Sequence, residues 1–240
     1  MVTKKERDLL EEEFQDMRRK AKRHIGKLSA LLDLMRTIFT AETKPTLFQK
    51  LTGYNNHASA LYTEKPLNMI KYEKYVQTDE FKRAVHIGQD VGFQEAEDKV
   101  TRQLAKDYLT DISGKIEDLL ESYPMLLYTG QMDTLFPSRN LQDYFRSLKW
   151  SGAKEFRKKQ PKRWRAYNHS HSVSGFITTV GKMKEGVLLG AGHYAAVDKP
   201  EEANRLMMMF IEDARSADGQ SKGKEVQDSK TPMKKNTSEK

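Results

Sequence analysis

The 240-residue chain contains no cysteine. That excludes disulfide stapling and any thiolate nucleophile or ligand, and it leaves the redox compartment unreadable. No run approaches the roughly 18 apolar residues of a membrane span. The opening Met1-Val2-Thr3-Lys4-Lys5-Glu6-Arg7-Asp8 has no apolar h-region, so no signal peptide is read there. No glycine loop of the phosphate-cradling type is seen, and His169 and His171 stand two apart without a matching second pair. No cofactor and no metal are expected. Apolar residues almost vanish from Ser216 to Lys240, which reads as a disordered polar tail.

What is present is charge. Charged residues make up 32% of the chain and the formal net charge is +8. The densest basic run is Arg157-Lys158-Lys159-Gln160-Pro161-Lys162-Arg163-Trp164-Arg165. No DNA- or RNA-binding motif accompanies it, so it reads as a solvated hairpin and not as a nucleic-acid surface.

Leu10, Phe14, Met17, Ala21, Ile25, Leu28, Leu32 and Met35 recur every three or four residues, which predicts one long helix or two over 3–40. Thr3-Lys4-Lys5-Glu6 has the form of a capping box. Pro45 and Pro66 break the next region, where Tyr54, Tyr62, Tyr72 and Tyr75 suit half-buried packing or the wall of a cleft. Thr78 starts a short helix through Ala84, and His86 on Val85-His86-Ile87 reads as a packed core histidine. Val100, Leu104, Tyr108, Ile112, Ile116 and Leu119 mark a helix near 96–121, weakened at Gly114. Strand 124–128, a helix from Pro137, a hairpin of Trp164–Tyr167 with Phe176–Val180, strand 187–190 and a last helix through Ala203, Leu206, Met207 and Phe210 follow. The alternation argues α/β with right-handed crossovers.

Two stretches share one design. Pro124-Met125-Leu126-Leu127-Tyr128 is an apolar strand, and Thr129-Gly130-Gln131-Met132-Asp133 delivers an aspartate just past its end. Val187-Leu188-Leu189 is another, and Gly190-Ala191-Gly192-His193 delivers a histidine. Asp198 and Pro200 then suit a helix cap and first turn. Chemistry in open α/β sheets gathers outside the carboxyl ends of strands. Asp133 followed about sixty residues later by His193 is the back half of the order Ser…Asp…His.

Tyr128-Thr129-Gly130-Gln131-Met132-Asp133 and Gly190-Ala191-Gly192-His193 with Asp198-Lys199-Pro200 resemble the acid and histidine motifs of the serine carboxypeptidases. Between them, Lys149-Trp150-Ser151-Gly152-Ala153 and the run from Phe156 to Gly181 also match. Upstream, Leu51-Thr52-Gly53-Tyr54-Asn55-Asn56 and Phe81-Lys82-Arg83-Ala84-Val85-His86-Ile87-Gly88 are similar to the segment joining that family's helical lid to its last strands. The likeness is greatest to the vitellogenic and retinoid-inducible type and covers most of residues 1–215.

The resemblance implies an α/β chain: the C-terminal part of an α/β-hydrolase fold with a helical lid insertion. Residues 1–95 would be the lid region, 96–215 the hydrolase portion and 216–240 the polar tail. Asp133 and His193 would be catalytic. Tyr194, where the family usually has methionine, would line the pocket for the leaving residue. The family's nucleophile elbow lies N-terminal to its lid, and no such motif stands there in this chain; Ser172 and Ser174 are not on an elbow. The expected activity is release of C-terminal residues from peptides, at acid pH, by a chain completed with the missing part. The alternative is a catalytically inactive carboxypeptidase-like binding protein. A secreted or lysosomal location is implied, where the sequons Asn168-His169-Ser170 and Asn236-Thr237-Ser238 would become usable. Part of a parallel sheet leaves an open edge, so a homodimer or another partner is expected to cover it, and no nucleic acid or membrane partner is.

Overall fold

The computed structural model describes residues 2–23, 26–39, 45–93, 98–167 and 171–228; of residues 39, 98 and 217–228 only the backbone is described. His169, both sequon asparagines and Ile25 of the first apolar stripe lie outside the described residues.

The N-terminal stripe forms two helices, α1 (Lys4–Ala21) and α2 (Lys27–Leu34), the second continued by a π-helical turn, Met35–Phe39. The capping box is made: Thr3 Oγ1 accepts from the Glu6 N–H, and the Glu6 carboxylate accepts from the Thr3 N–H. The chain turns back at Gly26, where a Cβ would run into the carbonyl of Lys20. That close approach folds the stripe on itself. Lys20 then bridges Asp16 and Asp33 across the two helices, at 2.7 Å each.

Short helices follow: α3 (Leu47–Thr52), a 3₁₀ turn (Leu67–Met69), α4 (Lys71–Tyr75) and α5 (Asp79–Ala84). Thr78 caps α5 through the Phe81 N–H. His86 is not a core residue. It is exposed between exposed Val85 and Ile87, in the left-handed region at φ 58°. It terminates α5 much as a glycine would, a conformation histidine tolerates better than most side chains.

The predicted helix over 96–121 is also two, α6 (Asp98–Tyr108) and α7 (Ser113–Ser122). Gly114 lies in the first turn of α7, where its low propensity costs little. The chain continues with β1 (Met125–Gly130), α8 (Ser138–Ser147), α9 (Ala153–Lys158), β2 (Lys162–Trp164), β3 (Gly175–Val180), β4 (Met183–Leu188), α10 (Ala195–Asp198) and α11 (Pro200–Asp228). Helical backbone therefore runs through 216–228, into the segment read as a polar tail. Its Ala, Lys, Glu and Gln are good helix formers, and propagation from an anchored helix is easier than nucleation.

The sheet order is β1-β4-β3-β2. β1 and β4 are parallel, whereas β3 pairs antiparallel with both its neighbours, so the sheet is mixed. The last strand ends at Leu188 and not at Gly190, because Gly190 turns the chain at φ 65°. Alternation along β1 sends Met125 and Leu127 to one face and Leu126 to the other. On the first face Leu120, Phe145, Leu148, Phe156, Val180 and Met183 form a core under α7, α8 and α9. On the second, Leu188, Ala191, Ala195, Ala203 and Leu206 pack beneath α11. Each fully buried large side chain there contributes about 1.5–3 kcal/mol relative to exposure.

One acid breaks the apolar pattern. Glu185 on β4 is buried opposite Thr178 of β3, with Gln142 and Arg146 of α8 nearby. Burial pushes its carboxyl above the ordinary range; hydrogen bonds from Thr178 and Gln142 and the Arg146 charge only partly offset this. A carboxyl raised on folding binds its proton more tightly in the native state. Its protonated form favours the fold fully below the unfolded value, and that advantage is lost as pH rises through the folded value. Glu185→Gln is therefore expected to raise Tm at pH 7 by about 2–4 °C, the shift that accompanies about 1 kcal/mol in a protein of this size. Little change is expected near pH 4. Melting curves at both pH values check this, and equal shifts at both would contradict it.

Candidate active site

The parallel pairing of β1 with β4 decides the site. Its register matches Gly130 with Leu188, so the two strands end level and their exit loops lie side by side. The Gln131 N–H donates to the Leu188 carbonyl and the Met132 N–H to the Ala191 carbonyl, both at 2.8 Å. Gly130 packs directly under the second loop, leaving no room for a Cβ against the carbonyls of Ala191 and Gly192.

Asp133 and His193 meet across this seam. Asp133 Oδ2 lies 3.0 Å from His193 Nδ1. Asp133 Oδ1 accepts from the N–H groups of Leu135 and Phe136, at 2.9 and 2.8 Å. Both carboxylate oxygens are engaged, and the aspartate side chain is only 5% exposed. Burial works to raise its pKa, but the His193 and backbone hydrogen bonds together outweigh burial and hold it below the usual carboxylate range. The imidazole side chain is 28% exposed. Its ring is flanked by Phe136 at 5.4 Å and Tyr194 at 5.3 Å. An ionised carboxylate at Nδ1 keeps the proton there, so Nε2 carries the lone pair. That arrangement suits Nε2 to accept a proton and places Asp133 where it can stabilise the resulting cation.

Asp198 has a different place from the helix cap predicted for it. Its carboxylate turns back and accepts the Gly192 N–H at 2.7 Å, bracing the turn that delivers His193. Pro200 does open α11. Tyr194 precedes α10, 43% exposed, edge-on to the imidazole. Of the serines considered, Ser174 spends its hydroxyl on the Ala166 N–H, ahead of β3. A literal Gly-x-Ser-x-Gly string, Gly219-Gln220-Ser221-Lys222-Gly223, lies within α11, where no strand feeds it. It lacks the strand-to-helix turn of a nucleophile elbow.

Sequence reasoning missed a third contributor. Residues 55–61 cross over both loops, and no periodic pattern marks them. Only Asn55 and Asn56, at the end of the 51–56 stretch that resembles the lid-joining segment of the carboxypeptidases, were signalled; residues 57–61 were not.

A sheet with helices on both faces, carrying aspartate and then histidine on the exits of adjacent parallel strands, defines an α/β-hydrolase fold. The family profile described as serine carboxypeptidase matches residues 3–213. The chain belongs to the serine carboxypeptidase family. It is 25% identical over 167 residues to the human "Probable serine carboxypeptidase CPVL", covering 70% of this chain and 35% of that protein. To the "Venom serine carboxypeptidase" of Apis mellifera it is 29% identical over 168 residues, again 70% and 35%. To the "Vitellogenic carboxypeptidase" of Aedes aegypti it is 22% identical over 167 residues, with 68% and 34% covered. The crystal structure of Kex1Δp, a prohormone-processing carboxypeptidase from Saccharomyces cerevisiae, superposes with a TM-score of 0.50 at 17% identity, over 62% of this chain and 32% of that one. The chain thus spans about a third of the length of these relatives.

Proposed function

We propose that this chain is the part of a serine-type carboxypeptidase that supplies the general base and its orienting acid. The observation that carries the reading is the 3.0 Å contact of Asp133 Oδ2 with His193 Nδ1, which leaves Nε2 as the basic nitrogen. In the complete protein, Nε2 takes the proton of a serine hydroxyl as that oxygen attacks the scissile carbonyl. It then returns the proton to the leaving amine, which departs as the C-terminal amino acid. Tyr194 forms a polar wall beside the imidazole for the leaving residue. The low pKa of Asp133 supports work in mild acid. A carboxylate lowered on folding contributes stability above its unfolded value and loses it only as pH falls through the folded one. We place the protein in a secreted or lysosomal setting; the name of one relative, a venom protein, supports secretion. Among the described residues no helix is long and apolar enough to cross a membrane.

The test is a serine-directed fluorophosphonate applied to the protein purified from its source, with an assay for C-terminal residue release from N-blocked peptides. Labelling with release supports the enzyme. Neither would leave the inactive carboxypeptidase-like reading.

The same reading includes a covering partner. Among the described residues β1 pairs only with β4, so its outer edge is open. Tyr128 on β1, Tyr123 beside it and Val100, Leu104 and Tyr108 along α6 are all exposed. Such an edge and stripe favour association. The 240-residue chain alone is expected to elute as a dimer or larger species in size-exclusion chromatography with light scattering. A monodisperse monomer at tens of micromolar would sink this part of the proposal.

A further inference from the structure

We infer that residues 55–61 form a strap that positions the Asp133–His193 pair, with Asn56 as its locking residue. The inference rests on reading that pair as a base and its orienting acid.

The strap holds both loops at once. The Ala58 carbonyl accepts the His193 N–H at 2.9 Å. Ser59 forms an antiparallel bridge with Asp133. On either side of Asp133, the Met132 carbonyl accepts the Ala60 N–H at 2.9 Å, and Thr134 Oγ1 donates to the His57 carbonyl at 2.5 Å. The contact with the histidine loop is close-packed: a Cβ on Gly192 would collide with Ser59 Oγ and Cβ. The acid and the base come from exits of different strands, and this one segment is bonded to the backbone of both.

Asn56 holds the strap in shape. It is fully buried, and its Oδ1 accepts the Ala58 N–H at 3.1 Å. Ala58 is thus pinned on both sides, by Asn56 through its N–H and by His193 through its carbonyl. Ser59 Oγ accepts the Leu61 N–H at 3.1 Å and finishes the turn. Ala58 and Ser59 are each 1% exposed, so water cannot replace these bonds. Removing the Asn56 oxygen frees the N–H side of Ala58, the residue whose carbonyl anchors His193. Among the described residues Asn56 is hydrogen-bonded to neither the Asp133 nor the His193 side chain; it acts through Ala58, as a positioning residue.

The readout is the His193 Nδ1 proton in the ¹⁵N-histidine-labelled chain, assigned by its loss in Asp133→Asn. Asn56→Ala is expected to speed its exchange with solvent about tenfold or more, with amides of β3 and β4 unchanged. Gly192→Ala is expected to do the same by pushing the strap away. Ser59→Gly combined with Gly192→Ala relieves the collision with Oγ and Cβ but gives up the Leu61 bond, and is expected to bring exchange only part of the way back, to less than about a third of the acceleration in Gly192→Ala alone. Unchanged exchange in Asn56→Ala overturns the inference, as does an equal acceleration of the sheet amides, which would mark a merely structural residue. If Asn56→Ala does not fold, the Gly192 and Ser59 pair decides, and failure of rescue overturns it. No fluorophosphonate labelling of the source protein, with these exchange results intact, would sink the enzyme reading and leave the strap standing.

Discussion

Asp133→Asn in the complete protein is expected to lower kcat by about 10⁴-fold with little change in KM. The size follows from the tautomer. Asparagine keeps an oxygen for the N–H groups of Leu135 and Phe136, so the loop after β1 keeps its shape. Its amide nitrogen, however, faces His193 Nδ1 as a donor. The imidazole answers by moving its proton to Nε2, where the lone pair is needed. The charge that would stabilise the imidazolium is lost as well. In the proposed mechanism Asp133 acts on His193 and not on the peptide, so a small effect on KM is expected. Steady-state release of C-terminal residues from the wild-type and variant proteins measures the ratio. Activity within tenfold of wild type would mean that Asp133 is not the acid that orients and charges His193.

Gly130→Ala is expected to cost about 10²-fold in the same assay and about 1–3 kcal/mol in stability. A methyl group here has no solvent side to enter. It would lie well inside 3.0 Å of the backbone of Ala191 and Gly192, atoms that move only if the whole turn moves. That turn begins the segment bearing His193, while Gly130 begins the segment bearing Asp133. Relief of the clash must widen the seam between the two loops and lengthen the Asp133–His193 contact. Circular dichroism melts and kinetics on one preparation test both halves. A variant with parental kinetics would show that the seam has slack.

Much of this architecture was legible before any contact was known. The apolar runs at Met125–Leu127 and Val187–Leu188 announced strands, with Asp133 just past the first and the Gly190-Ala191-Gly192 turn delivering His193 past the second. The Thr3 capping box and the α5 cap at Thr78 were also readable, because a cap needs only residues three apart. The helix breaks at Gly26 and after Tyr108 were not. Continuous apolar spacing over 3–40 and 96–121 suits one helix as well as two that fold back or bend, and the choice depends on what each packs against. His86 failed for a related reason. An apolar neighbour on each side suggested burial, but the helix ends there and all three residues face solvent.

The order of residues by itself determined which groups stand at the strand ends and which faces of the helices are apolar, since these depend on periods of two and 3.6 within a few residues. Tertiary structure alone decided that β1 and β4 are neighbours in level register, that Asp198 braces the Gly192 turn and that residues 55–61 lie over both loops. Those outcomes depend on backbone approaching backbone across long stretches of chain. Such approach is governed by hydrogen-bond register and by glycines that leave room, and neither has a local period from which it can be read.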